Sequence, residues 1–214
     1  DIDAHHGDGT ENLTAGNPDV HTFSIHQYGI FPGTGFENQP ELNVYNFPLY
    51  PTHPNKQLGM GDSALFHGAL VFLQKLSEFK PDILFIACGA DAHLEDPLSN
   101  LEYSVQGYRR IAQLIRTKCP DLPILLGGAG GYLPDTRTPE VWSEFAAAIG
   151  APILGEDPLV FERSVSHAPI ILSDERARNA LTPELVVVIG RTTLSRSVNA
   201  YVSGAAHVMV IDPR

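Results

Sequence analysis

Basic side chains are scarce in this sequence: 14 Lys and Arg stand against 25 Asp and Glu in 214 residues, a formal charge of −11. That balance speaks against nucleic-acid binding by phosphate neutralisation, and no Lys/Arg cluster offsets it. A cationic substrate suits the surface better. Cysteine is limited to Cys88 and Cys119, which fall in or beside expected strand and helix segments rather than in a paired framework, so reduced thiols are expected. No run approaches the roughly 18 apolar residues of a membrane span. The start lacks a basic segment followed by an apolar one, so a cytoplasmic protein with no membrane partner is expected. An initiating Met is missing too. The chain opens on Asp1 as if at the end of a strand running into a functional loop, which reads as a fragment of something longer.

With 43% apolar and 18% charged residues the chain can bury a core as one large or two small domains. Short β-branched or apolar runs bounded by turn residues predict strands at 20–26, 82–88, 122–126, 151–154, 184–189 and 207–211. Helical spacing fits 62–79, 105–118, 139–149, 173–181 and 194–203. In the first of these Leu65, Ala69, Phe72, Leu73 and Leu76 share a face, with Asp62 as N-cap and Pro81 beyond the end. Strand and helix alternate, which predicts an α/β fold with a mainly parallel sheet. Residues 29–60, rich in Pro, Gly and Asn, read as an extended, site-building loop. A composition shift near residue 150 suggests a boundary, giving expected domains 1–149 and 150–214.

The first nine residues, Asp-Ile-Asp-Ala-His-His-Gly-Asp-Gly, pack two His and three Asp into one loop. Period-two geometry puts Asp3 and His5 on one side of a strand end, where α/β sheets gather functional groups. The predicted strand 82–88 empties into Gly89-Ala90-Asp91 and adds another carboxylate. Three ligands, Asp3, His5 and Asp91, with a fourth position open describe a catalytic zinc site, where the ion polarises a carbonyl and acidifies water. Taken alone, Asp-x-Asp-x-His is also ordinary capping and turn chemistry.

Further motifs follow in order: Ser24-Ile25-His26, Phe31-Pro32-Gly33-Thr34-Gly35, Asp96-Pro97-Leu98 after Asp91, and Gly130-Gly131-Tyr132. Together with the opening string they resemble the histone deacetylase family. The stretch from Tyr132-Leu133-Pro134 through Arg137, Pro139 and Trp142 looks closest to bacterial acetoin-utilisation-type members. The resemblance implies a three-layer parallel sheet of the arginase/deacetylase type, present in part, with a small α/β segment after it. It implies zinc on Asp3, His5 and Asp91, and Tyr132 as the phenol that steadies an oxyanion, although Tyr132 alone would pass for a half-buried core residue. Gly130 and Gly131 would let the backbone approach the substrate closely. Phe31 and Leu98 would line a channel for an acyl-lysine stem, or simply pack. Asp1, Asp3, His5, Ser24 and Ile25 resemble the residues that hold a structural K+, and His6 would support the metal loop. The implied substrate is an acetylated lysine or acetylated amine.

In that family two adjacent histidines upstream of the first ligand move protons, each oriented by an aspartate. Asp1 and Asp8 match the orienting carboxylates, but the histidines would precede residue 1; His26, His67 and His93 do not match them. A chain impaired on its own is therefore expected, with self-association or a missing N-terminal half as its partner. Residues from 150 on, notably Gly150-Ala151-Pro152-Ile153-Leu154-Gly155-Glu156 and Val186-Val187-Val188-Ile189-Gly190-Arg191-Thr192, are similar to the central domain of the menaquinone-pathway succinyl-enolpyruvyl-hydroxycyclohexene-carboxylate synthase. Arg196 would correspond to a substrate-facing arginine there, or be a surface residue. Two partial resemblances suggest a chimera and leave a second reading open, a non-catalytic fusion or scaffold. An arginase-like two-manganese site ranks below both, because ligands for only one metal are visible.

Overall fold

Apolar runs and helical stripes resolve into three parallel strand pairs in a computed structural model that describes residues 1–50, 59–151, 171–183, 185–189 and 196–211. The chain divides into two units, Asp1–Gly150 and Ala151–Arg214. In the first, α1 (Asp8–Thr14), β1 (Thr22–Gln27), β2 (Val44–Leu49), α2 (Asp62–Phe79), β3 (Leu84–Cys88), α3 (Val105–Lys118), β4 (Ile124–Gly128) and α4 (Arg137–Ala148) follow one another. β1 pairs with β2, Ser24 opposite Asn46, and β3 with β4, Ile86 opposite Leu126. Residues 1–4 lie between the two pairs: Gln27 N–H donates to the Ala4 carbonyl at 2.9 Å, and Ile2 N–H to the Ala87 carbonyl at 2.9 Å. This short bridge carries the metal-type loop.

Helix α3 shows why the pattern was readable. Tyr108, Ile111, Ala112 and Ile115 are all buried and repeat at helical spacing. The Ser104 hydroxyl caps the helix by accepting from Gly107 N–H at 3.1 Å. In α2, Leu65 and Ala69 are buried and Gly68 lies against Ile25 of β1. The expected cap of α2 is corrected: Gly61 takes the N-cap position and Asp62 is the first helical residue. Its carboxylate instead accepts from the Ser104 amide at 2.7 Å and hydroxyl at 2.6 Å, tying α2 to the start of α3.

The loop expected over 29–60 contains β2, and α1 was not expected either. β2 hides behind Asn46, which points inward and is 6% exposed, and behind Pro48, which has no N–H to give a ladder. Proline is tolerated because, among the described residues, the edge of β2 away from β1 carries no strand pairing beyond the Gln39–Val44 bridge, so position 48 needs no donor there. α1 buries none of its residues and so carries no apolar stripe. In the second unit, α5 (Glu175–Ala180), β5 (Leu185–Ile189), α6 (Arg196–Ser203) and β6 (His207–Ile211) form a parallel pair with helices between. The Asp174 carboxylate caps α5 by accepting from Ala177 N–H at 3.0 Å. The strand expected at 151–154 lies, beyond Ala151, outside the described residues. Cys88 and Cys119 are unpaired thiols, Cys88 buried. Among the described residues no helix is long and apolar enough to cross a membrane.

Candidate metal centre

Three segments far apart in sequence meet at the carboxyl ends of the strands. Asp3 and His5 arrive on the opening segment between the strand pairs, Asp91 on the turn after β3, and Gly130 just after β4. One donor atom each from Asp3, His5 and Asp91 lie within 4.8 Å of one another. His5 Nδ1 stands 3.1 Å from Asp3 Oδ1 and 2.9 Å from Asp91 Oδ2, so one imidazole nitrogen faces both carboxylates. The opposite oxygens are held by backbone. Gly130 N–H donates to Asp3 Oδ2 at 2.6 Å, and Ala4 N–H to Asp91 Oδ1 at 2.9 Å. A side chain at residue 130 would collide with Asp91 Oδ2 and come within 2.8 Å of Asp3 Oδ2, so glycine alone permits this approach.

Asp91 is fully buried. Burial, and then the neighbouring Asp3 charge, push its carboxyl above the usual carboxylate range. Among the described residues no Lys or Arg pairs with either carboxylate, and His5 is their shared ion partner. Two converging carboxylates with an imidazole and no fixed cation form a donor set that fits a divalent ion of the zinc type.

The turn bearing Asp91 is anchored from beneath. Tyr108 Oη donates to the Gly89 carbonyl at 2.8 Å, and Ser99 Oγ to the Asp91 carbonyl at 2.7 Å. Trp142 Nε1 donates to the Cys88 carbonyl at 2.8 Å. Burial holds the Cys88 thiol well above its usual range, so it stays protonated next to the site.

Comparison with known proteins decides the family. The histone deacetylase domain is matched over residues 1–149. The chain belongs to the histone deacetylase family. It is 33% identical over 192 residues to histone deacetylase 14, chloroplastic, of Arabidopsis thaliana, covering 83% of this chain and 41% of that protein. It is 34% identical over 165 residues to the acetoin utilization protein AcuC of Bacillus subtilis, covering 74% and 41%. Among solved structures, an acetylpolyamine aminohydrolase from Burkholderia pseudomallei superposes with a TM-score of 0.59 at 26% identity, over 70% of this chain and 43% of that one. The fold is accordingly the arginase/deacetylase type. This family member spans about a quarter to two fifths of the length of the curated relatives it matches.

The remaining expected residues of this deacetylase-family chain divide by position. Asp1 accepts from Asp3 N–H at 3.0 Å through Oδ1, and Ser24 Oγ approaches its Oδ2 at 3.4 Å, while Ile25 N–H donates to the Asp1 carbonyl at 3.0 Å. Asp1, Asp3, Ser24 and Ile25 are therefore contiguous. Asp8 opens α1 and its amide donates to the His6 carbonyl at 2.9 Å. His6 is buried and held at both nitrogens, by Thr34 Oγ1 and Glu11 Oε2, each at 2.8 Å. Tyr132 is 49% exposed and fixed through its amide to Asp96 Oδ2 at 2.9 Å. Leu98 N–H binds the other Asp96 oxygen at 3.0 Å. Phe31 stands 80% exposed and Leu98 50%. Gly131 packs against Thr138 and Ala90.

The sequence reading missed the polar group around His6. Asn46 of β2 donates to Glu11 Oε2 at 3.1 Å, so β2, α1 and the metal loop share one network. Its signal would have been Asn46 and Glu11 as polar residues beside a packed histidine, but Asn46 fell in the segment read as loop and Glu11 in one given no element. His26 and His67 are packed: His26 Nε2 donates to the Gly35 carbonyl at 3.0 Å and its Nδ1 stands 3.0 Å from Ser24 Oγ, while His67 lies against Phe47. His93 is buried and its Nδ1 accepts from Glu95 N–H at 3.2 Å.

Proposed function

We propose that this chain carries the electrophilic part of a zinc-dependent amide hydrolase that removes acetyl groups from lysine or a small amine. The observation that carries the reading is the convergence of Asp3, His5 and Asp91 donor atoms within 4.8 Å, with no fixed cation on the carboxylates among the described residues. Zinc bound there supplies Lewis acidity toward an amide carbonyl and toward water. The chain's own groups do the rest. Gly130 and Ala4 amides hold the two carboxylates in place. Burial, then the charges of Asp91 and Asp3, push the Tyr132 phenol up, so it stays a proton donor able to hydrogen-bond the carbonyl oxygen. Phe31 and Leu98 offer apolar surface to the stem of an acyl-lysine. Asp1 and Ser24 side chains, with the backbone at Ile25, form the proposed seat of a potassium ion beside Asp3 and His5. The proposal assigns this chemistry to residues 1–149 and gives residues 150–214 no part in it.

Proton transfer is the weak point among the described residues. His6 and His26 are tied at both ring nitrogens and His93 at one. Positioned acid–base groups contribute about 10²–10⁴-fold, so hydrolysis by this polypeptide falls short of an intact deacetylase by about that factor. The test is elemental analysis and zinc titration of purified chain and its Asp91→Asn variant, followed by acetyl-lysine peptide and acetylpolyamine assays. One equivalent of zinc in the parent and at least tenfold weaker retention in the variant are expected. Absence of zinc in the parent, or equal retention in both, would sink the proposal.

A further inference from the structure

The segment that presents Tyr132 does not fix itself. Gly127, Gly128, Gly130 and Gly131 leave Ala129 as the single side chain in the five residues before the phenol, and glycine gives a backbone its widest choice of conformations. Two hydrogen bonds tie this run to β3 and its turn: Ala129 N–H donates to the Cys88 carbonyl at 3.1 Å, and Ala90 N–H to the Gly130 carbonyl at 2.5 Å. Both lie upstream of Tyr132. Downstream, Leu133 N–H donates to Thr138 Oγ1 at 3.2 Å, inside the same segment. At Tyr132 itself the main-chain amide reaches across to the neighbouring turn and donates to Asp96 Oδ2 at 2.9 Å.

Asp96 is itself firmly seated on the turn that carries Asp91. Its amide donates to the His93 carbonyl at 2.8 Å, and the His93 amide to the Ala90 carbonyl at 3.1 Å. Pro97 locks the next φ and holds Asp96 near extended backbone. The side chain is buried, and its other oxygen, Oδ1, accepts from Leu98 N–H at 3.0 Å. A carboxylate accepts at both oxygens and donates at neither, which is what two facing amides require. A second link between the same two turns, Arg137 to Glu95 at 2.7 Å, lies at the surface. Water and side-chain freedom weaken a pair of that kind. The buried carboxylate is therefore the stiffer of the two links.

We propose that Asp96 is a positioning residue, whose carboxylate holds Tyr132 and Leu98 in fixed register with Asp91. Oxyanion donor, channel wall and metal ligand then move as one body. This role rests on the amide-hydrolase reading, in which the Tyr132 phenol hydrogen-bonds the carbonyl oxygen. A reacting or stabilising group misplaced by about 1 Å costs on the order of 10²-fold in rate, so a phenol that follows a glycine run needs an anchor outside that run. Two substitutions take the anchor apart. Asp96→Ser keeps the short turn to Leu98, because a hydroxyl accepts from the amide two residues on, but its side chain is too short to reach Tyr132. Asp96→Asn keeps the size and offers one acceptor oxygen where two amides need one each.

Hydrogen exchange resolved to single amides is combined with hydrolysis of an acetyl-lysine peptide by the zinc-loaded chain. In Asp96→Ser the Tyr132 amide is expected to exchange at least about tenfold faster, with the Leu98 amide near the parent. Its kcat is expected to fall about 10- to 100-fold at unchanged KM and unchanged zinc retention. Tyr132→Phe loses a comparable factor, and adding Asp96→Ser to it costs little more, because no phenol is left to place. Arg137→Ala stays near the parent throughout. An unchanged Tyr132 amide, an undiminished kcat, or losses that multiply in the double variant overturn the proposal. A parent without zinc or turnover counts against the hydrolase reading instead. The Tyr132 amide then decides the anchoring by itself, faster exchange in Asp96→Ser supporting it and equal exchange overturning it. Should Asp96→Ser fail to fold, Asp96→Asn is expected to free at least one of the Tyr132 and Leu98 amides, and faster exchange at neither overturns the proposal equally.

Discussion

Tyr103 and Tyr108 are both fully buried, with rings 5.7 Å apart in an edge-to-face contact, yet removal of their hydroxyls is expected to have opposite effects. Tyr108 Oη donates to the Gly89 carbonyl at 2.8 Å, in the turn that delivers Asp91. Tyr108→Phe leaves that carbonyl dry and unsatisfied, at a cost of about 1–3 kcal/mol. With a urea slope of about 2 kcal/mol per molar, the unfolding midpoint drops by about 0.5–1.5 M. Tyr103 Oη is buried without a hydrogen-bond partner among the described residues. Tyr103→Phe removes a polar atom that already bears its desolvation cost, so stability is unchanged or rises by up to about 1 kcal/mol. Urea melts of the two variants, followed by tryptophan fluorescence from Trp142, decide the matter. Equal losses in both, or a loss at Tyr103 as large as at Tyr108, would refute the hydrogen-bond accounting.

Acid stability should report on His26. Burial first, and the charge of His6 second, lower its pKa from 6.5 to about 4. The unfolded chain therefore binds the proton more readily, and the stability gained by keeping His26 neutral is present above about pH 6.5 and lost as pH falls toward about 4. The full span amounts to about 3 kcal/mol; urea midpoints measured along that range should slope downward with acid, and the slope should flatten in His26→Gln. At the metal loop, Gly130→Ala places a methyl group on the Asp91 and Asp3 carboxylates, whereas at Gly127 the nearest atom to an added Cβ is the Ile86 carbonyl oxygen at 4.0 Å. Zinc retention should fall at least tenfold in Gly130→Ala and stay near the parent level in Gly127→Ala, with far-UV circular dichroism unchanged in both.

The local sequence by itself determined the elements with strong periodicity and the residue types of the site. α3 was legible because buried apolar residues recur along one face, and β3 because a short apolar run ends in Gly89-Ala90-Asp91. Motif order singled out Asp3, His5 and Asp91, whose donor atoms the fold brings together. Only the tertiary structure decided what depends on groups distant in the chain. β2 became a strand by pairing with β1 despite Asn46 and Pro48, Asp62 left the cap of α2 for Ser104, and Glu11 linked Asn46 to His6. These are hydrogen bonds between segments separated by up to dozens of residues, and a local pattern holds no trace of them.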